Sequence, residues 1–248
     1  MNGYELHSRV APRSFSNSPY ESETTLPAAS LVAVVLAGGL SRRMGRMDKA
    51  FLLLNGQTLL QRVLGRLSPQ VATIMINANG EAAHFASFAL PVVTDCRPHH
   101  PGPLAGIEAA LLASNADWLL SIPVDLPFLP LDLAERLLMR ADANTELVIA
   151  AGPTGRHPVV GLWSRCLLPA ISATLGHSSP RLFDWIEEKR YVVADFPLRD
   201  DGIDPFFNIN YPHDLDVAQS LLSKGIDATI KQENDSMTRC TAWKDSHG

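Results

Sequence analysis

Between residues 31 and 224 short aliphatic or β-branched runs alternate with stretches whose apolar residues recur at helical spacing. That alternation predicts a mostly parallel sheet flanked by helices, a single-domain α/β fold. The expected strands are Leu31–Leu36, Val71–Asn77, Val92–Thr94, Trp118–Ile122, Leu147–Ala151, Val159–Trp163 and Tyr191–Phe196. Asn55-Gly56 marks a turn, and Thr58 with Gln61 three residues later has the spacing of a capping box. The helix it starts carries Leu59, Leu60, Val63, Leu64 and Leu67 on one face. The same periodicity places Leu104, Ile107, Leu111 and Leu112 on a second helix, and Leu215, Ala218, Leu221 and Leu222 on a last one, with a helix over Asp132–Met139 between them. Trp118, Trp163 and Trp185 sit in apolar patterns and read as core.

The flanking segments differ. Residues 1–30 are rich in Ser, Pro and charge and lack the apolar run of a secretion signal, and residues 225–248 are polar without periodicity. Both read as disordered extensions of the 31–224 domain. A chain of 248 residues, 46% hydrophobic, can bury one substantial core, and its apolar stretches are too often interrupted to span a bilayer. The net charge of −5, with both signs mixed along the chain, points to neither nucleic acid nor an anionic membrane as partner. Cys96, Cys166 and Cys240 show neither a disulfide framework nor zinc spacing. The expected setting is the reducing cytoplasm, and the expected unit a monomer.

In an open sheet of this kind ligands collect beyond the carboxyl ends of the strands. Four loops there have unusual composition: Ala37–Lys49, Asp95–Gly106, Pro123–Pro130 and Phe206–Pro212. The first reads L-A-G-G-L-S-R-R-M-G-R-M-D-K. Gly38, Gly39 and Gly45 allow a sharp turn and close approach of backbone N–H groups to a base or phosphate. Arg42, Arg43, Arg46 and Lys49 place four cations within eight positions, a cradle for a polyphosphate. The glycines are adjacent and Lys49 follows no glycine, so neither the dinucleotide G-x-G-x-x-G nor the P-loop pattern is present. Asp125 lies among the prolines of S-I-P-V-D-L-P-F-L-P, just past a buried strand. Asp132, with Glu135 three residues on, is the better candidate to cap the next helix, which leaves Asp125 to ligate a divalent metal such as Mg²⁺. Asn208 and Asn210 share a side if their segment is extended. His99, His100 and His157 have no partner at ligand spacing and read as surface or loop histidines.

Taken together, L-A-G-G-L-S-R-R-M-G-R-M-D-K, N-A-N at Asn77–Asn79, P-G-P-L-A-G at Pro101–Gly106, P-V-D-L-P at Pro123–Pro127 and N-I-N-Y-P at Asn208–Pro212 resemble the molybdenum cofactor guanylyltransferase family, in that order. The resemblance implies a Rossmann-like nucleotidyltransferase fold that moves GMP from GTP to molybdopterin and releases pyrophosphate. It further implies nucleotide contacts from Leu36, Ala37, Gly38, Gly39, Lys49, Asn77, Asp95 and Asp125, with Asp125 on Mg²⁺. Molybdopterin-loading and molybdoenzyme-maturation proteins would be the partners. Tyr211 and His213 depart from the family's last motif, which more often reads T-P-E before its acidic residue.

All reactants in such a transfer are anions, so the protein's task is positioning and charge neutralisation. Lys49 and Arg43 are assigned to the triphosphate, the Leu36–Gly39 backbone to the base, and Asn208 and Asn210 to the acceptor or a metal-bound water. Related cytidylyltransferases more often read L-A-A-G where this chain reads L-A-G-G, and by that resemblance Gly39 is expected to favour guanine. The alternatives are a cytidylyltransferase acting on molybdopterin or a related phosphate, and a nucleotide-dependent maturation protein that catalyses nothing.

Overall fold

The computed structural model describes residues 31–38, 48–80, 82–97, 102–177 and 180–223. Both extensions and most of the glycine/arginine loop, including Gly39 and Arg43, lie outside the described residues. Seven strands form one sheet in the order β5-β4-β1-β6-β8-β7-β9. They are β1 (Val32–Leu36), β4 (Thr73–Asn77), β5 (Val92–Val93), β6 (Trp118–Pro123), β7 (Leu147–Gly152), β8 (Gly155–Ser164) and β9 (Tyr191–Asp195). All neighbours run parallel except β8, which is antiparallel to both β6 and β7. Every expected strand is present. A separate small hairpin, β2 (Leu53–Leu54) with β3 (Gln57–Thr58), turns at Asn55 and Gly56, both at positive φ.

Side chains alternate across β1, and that alternation divides the core. Ala33 and Val35 join one apolar cluster with Leu60, Val63 and Leu67 of α1 (Leu59–Leu67) and Leu133 and Leu137 of α3 (Leu133–Leu138). Val34 faces the other way, onto a cluster shared by α2 (Pro103–Ala113), α4 (Leu168–His177) and α5 (Leu182–Glu187). Helices therefore cover both faces. The last helix, α6 (Pro212–Leu221), packs Ala218 onto a third cluster with Leu52 and the hairpin residue Leu54. No helix of the described residues is long and apolar enough to cross a membrane.

The capping box forms as expected: the Thr58 hydroxyl accepts from Gln61 N at 3.1 Å and the Gln61 side chain accepts from Thr58 N at 2.8 Å. Other local expectations need correction. Leu112 is 51% exposed, because it lies about 100° round the helix from the buried Leu111. Asp132 occupies the N-cap position of α3 but makes no capping bond, and its carboxylate lies 3.8 Å from Arg136 instead. Asp132 nonetheless holds that position, and the Asp125 carboxylate takes no part in capping α3. Trp163 and Trp185 are buried as expected, their rings 6.3 Å apart, while Trp118 packs partly buried at the core's edge.

Candidate active site

The carboxyl ends of β4, β1 and β6 and the start of β8 meet at one rim, around a cavity of about 510 Å³. Its centre is built from three segments far apart in sequence. Asp48 starts a short 3₁₀ turn, accepting from Ala50 N at 3.0 Å, and the buried Ala50 fixes that turn to the core. The turn delivers Lys49, whose ammonium donates to Asp125 Oδ2 at 2.9 Å and to Asn210 Oδ1 at 2.9 Å. Asp125 follows β6, where Val124 N donates to the Leu36 carbonyl and Ile209 N donates to the Asp125 carbonyl. With Ile209 buried, Asn210 reaches Lys49 and Asn208 lines the cavity. The ion pair is largely shielded, with side-chain exposures of 19% and 14%. Asp125 Oδ1 is buried and has no hydrogen-bond partner among the described residues.

A second set of polar groups lies beyond β1. Asn77, at the end of β4, donates to Asp95 Oδ1 at 2.8 Å, and Asn79 donates to Asp95 Oδ2 at 2.8 Å while accepting from Asp95 N at 2.9 Å. The two amides hold the carboxylate in one place. Their packing needs a glycine in α2: a Cβ at Gly106 would come within 2.3 Å of Asn77 Oδ1. Gly102, at φ +94°, turns the chain into α2 with Pro103 at the first helical position, and both line the cavity. Behind Asp95, Arg97 forms a two-pronged bond with the buried Glu108 at 3.0 and 2.8 Å and donates to the Ser172 carbonyl of α4.

The structure thus brings Leu36, Ala37, Gly38, Lys49, Asn77, Asp95, Asp125 and Asn208 to one cavity, with Asn210 in contact through Lys49. Two details differ from expectation. The Ala37 and Gly38 amides both donate to the Asn77 carbonyl at 2.9 Å, so they tie β1 to β4 and are not donors to a base or phosphate. His157 is no surface residue: it is on β8, partly buried and part of the cavity wall. Sequence reasoning also passed over Asn79, although it lies two residues from Asn77 in the same N-A-N motif. Among the described residues no group of three or more His, Cys, Asp or Glu side chains is placed to hold a metal.

The family model of the MobA-like NTP transferase domain matches residues 33–190, a span that holds every cavity residue named above except Asn208 and Asn210. The chain belongs to the MobA-like NTP transferase family. Among its relatives, the molybdenum cofactor guanylyltransferase of Nitrobacter hamburgensis is 43% identical over 195 residues, covering 76% of this chain and 92% of the relative. That of Cereibacter sphaeroides is 41% identical over 197 residues, 78% and 98% of the two chains. The crystal structure of molybdopterin-guanine dinucleotide biosynthesis protein A from Archaeoglobus fulgidus superposes with a TM-score of 0.64 at 26% identity, covering 78% of this chain and 99% of that one. The two sequence relatives are guanylyltransferases by name and the family model is of an NTP transferase domain, and this chain is a nucleotidyltransferase of the same fold.

Proposed function

We propose that the chain transfers GMP from GTP to the phosphate of molybdopterin, releasing pyrophosphate and leaving the guanine dinucleotide form of the cofactor. The single observation that carries the chemistry is the Lys49–Asp125–Asn210 cluster, in which a fixed ammonium and a carboxylate with one unpartnered buried oxygen share a cavity. The guanylyltransferase names of relatives about 40% identical supply the substrates.

A buried carboxylate oxygen without a partner carries a desolvation penalty that a cation would relieve. Mg²⁺ fits that position, because it takes one or two carboxylates and completes its shell with phosphate oxygens and water, so no larger protein cluster is needed. Asp125 would hold the ion, which when bound neutralises charge on the triphosphate. In the reaction an oxygen of the acceptor phosphate forms a bond to the α-phosphorus of GTP, and the bond from that phosphorus to the bridging oxygen breaks as pyrophosphate leaves. Lys49 neutralises charge on the transferring phosphate, and Asn210 keeps its ammonium aimed. Asp95, clamped by Asn77 and Asn79, presents an acceptor-only group. That suits the N1–H and 2-amino donors of guanine better than the edge of cytosine, which carries an acceptor beside its donor.

The test is pyrophosphate release with Mg²⁺ and molybdopterin, GTP being compared with CTP and the product weighed by mass spectrometry. Release that needs both GTP and acceptor, and that stops with EDTA, is expected. Equal rates with CTP would remove the guanine assignment, and binding of GTP without any release would make the chain a carrier.

A further inference from the structure

Two residues of the cavity, Asp125 and His157, have a buried polar atom without a partner among the described residues, and the proposed reaction uses only the first. The second atom is Nε2 of His157. Its residue reaches the wall through a break in the β7–β8 ladder: Ile149 pairs with Gly161 but Ala150 pairs with His157, leaving residues 158–160 unopposed. Such a bulge bends the strand, and Pro158, which has no N–H to offer, falls where no ladder bond is required. Ser121 holds the bend, donating to the Val159 carbonyl at 2.6 Å while accepting from Trp163 Nε1 at 2.7 Å. The imidazole packs against Phe206, ring centres 4.7 Å apart. Burial pushes its basicity below the usual histidine range against the opposing pull of Asp204, so the ring is neutral near pH 7. An apolar side chain would fill this place without the desolvation penalty, so packing alone does not account for histidine here.

Sheet order gives the wall a direction. Asp95, Asn77 and Leu36–Gly38 stand at the ends of β5, β4 and β1, Asp125 follows β6, and His157 lies on β8, across Asp125 from the nucleotide residues. With the nucleotide residues on the β5, β4 and β1 side of Asp125, the β8 side is the flank left to the acceptor. Resting on the transfer reading above, we infer that His157 is a substrate contact, its imidazole hydrogen-bonding an oxygen of the acceptor's phosphate monoester as that group comes up beside Asp125. In the empty site Nε2 lies beside Gly152, where Asp204 and Phe206 also pack, so the contact requires the ring to turn about its Cβ–Cγ bond toward the cavity; a neutral imidazole then offers one donor and one acceptor.

The experiment compares wild type, His157→Phe and His157→Asn for acceptor KM, kcat, GTP dissociation constant and unliganded Tm. For His157→Phe the acceptor KM is expected to rise about tenfold, the worth of one lost hydrogen bond. GTP affinity should stay within about twofold, and Tm should be unchanged or higher. His157→Asn, which keeps a donor, should show a smaller rise. An unmoved acceptor KM in both variants, or an equal loss of GTP affinity, overturns the contact. Should His157→Phe fail to fold, His157→Asn decides by the same two readouts. A wild type that makes no guanine dinucleotide overturns the transfer reading, and this inference with it; product from wild type with unmoved variants overturns this inference alone.

Discussion

On the β4–β5 flank of the cavity Asn77, Asn79 and Asp95 bind one another, whereas on the β6–β8 flank Asp125 Oδ1 and His157 Nε2 are buried without partners among the described residues. A bonded clamp is a preorganised surface: it fixes shape and donor-acceptor pattern before a ligand arrives and changes little afterwards. Unpartnered buried groups are the reverse. They destabilise the empty fold slightly and gain their bonds only when ligand and cation are present, which is how binding free energy is directed to the reacting centre. Under the proposed reaction, the first flank would recognise the nucleotide and the second would carry the chemistry with the acceptor.

The largest effect should come from the chemical flank. Asp125→Ala removes the proposed metal ligand and one of the two hydrogen-bond partners of the Lys49 ammonium, while the backbone bond from Ile209 survives. Turnover should fall about 10²–10³-fold in the pyrophosphate assay, as for other groups that stabilise a charged transition state, with Tm within a few degrees of wild type. A variant that kept near-normal rates at saturating Mg²⁺ would break the division between flanks. Next comes Gly106→Ala, whose added Cβ would lie 2.3 Å from Asn77 Oδ1 and 2.8 Å from Leu36 Cδ2. Overpacking of that kind costs about 1–3 kcal/mol, and the displaced Asn77 should weaken GTP binding about tenfold by calorimetry. Unchanged GTP affinity would mean that Asn77 does not shape the nucleotide side. Asn79→Ala deletes two bonds to Asp95 and should raise the GTP dissociation constant about fivefold, leaving the acceptor KM alone.

The same contrast explains what the sequence disclosed. Strands with continuous aliphatic character, such as Val32–Leu36 and Leu147–Gly152, are legible because burial on both faces leaves little room for polar residues. Lys49, Asp125, Asn208 and Asn210 are legible because each follows a predicted element in a loop of unusual composition. His157 was not: β8 extends four residues before the apolar run, through Gly155, Arg156, His157 and Pro158, a composition that reads as a loop. Only its pairing with β7 and the hold of Ser121 make it strand and cavity wall, and both are long-range contacts. Helices α4 and α5 were missed for a related reason, since their sequences mix Gly, Pro, Ser and charged residues with the apolar positions and the two helices are held by packing on Trp163 and Leu111 rather than marked by a clean period. The roles of the Ala37 and Gly38 amides depended on a neighbouring strand that no local motif reveals.

The smallest expected effect lies behind the nucleotide flank and concerns its stability rather than its chemistry. Arg97 links the segment after Asp95 to α2 through Glu108 and to α4 through Ser172. The hydrogen bonds from Arg97 hold the Glu108 carboxyl below the usual glutamate range, outweighing the opposite effect of burial. A carboxyl that binds its proton less readily in the folded than in the unfolded chain adds stability in full above its unfolded pKa, about 4.3. That share is lost as pH falls through the lower folded value. Glu108→Gln cannot titrate and keeps a weaker bond to Arg97, so its Tm should lie below that of wild type at pH 7, by less than the Gly106→Ala deficit, and the gap should narrow as the pH is taken to 3. A gap that stayed constant with pH would show that the pair acts through shape and not through charge, and the clamp would then be held in place by packing of α2 against α4 alone.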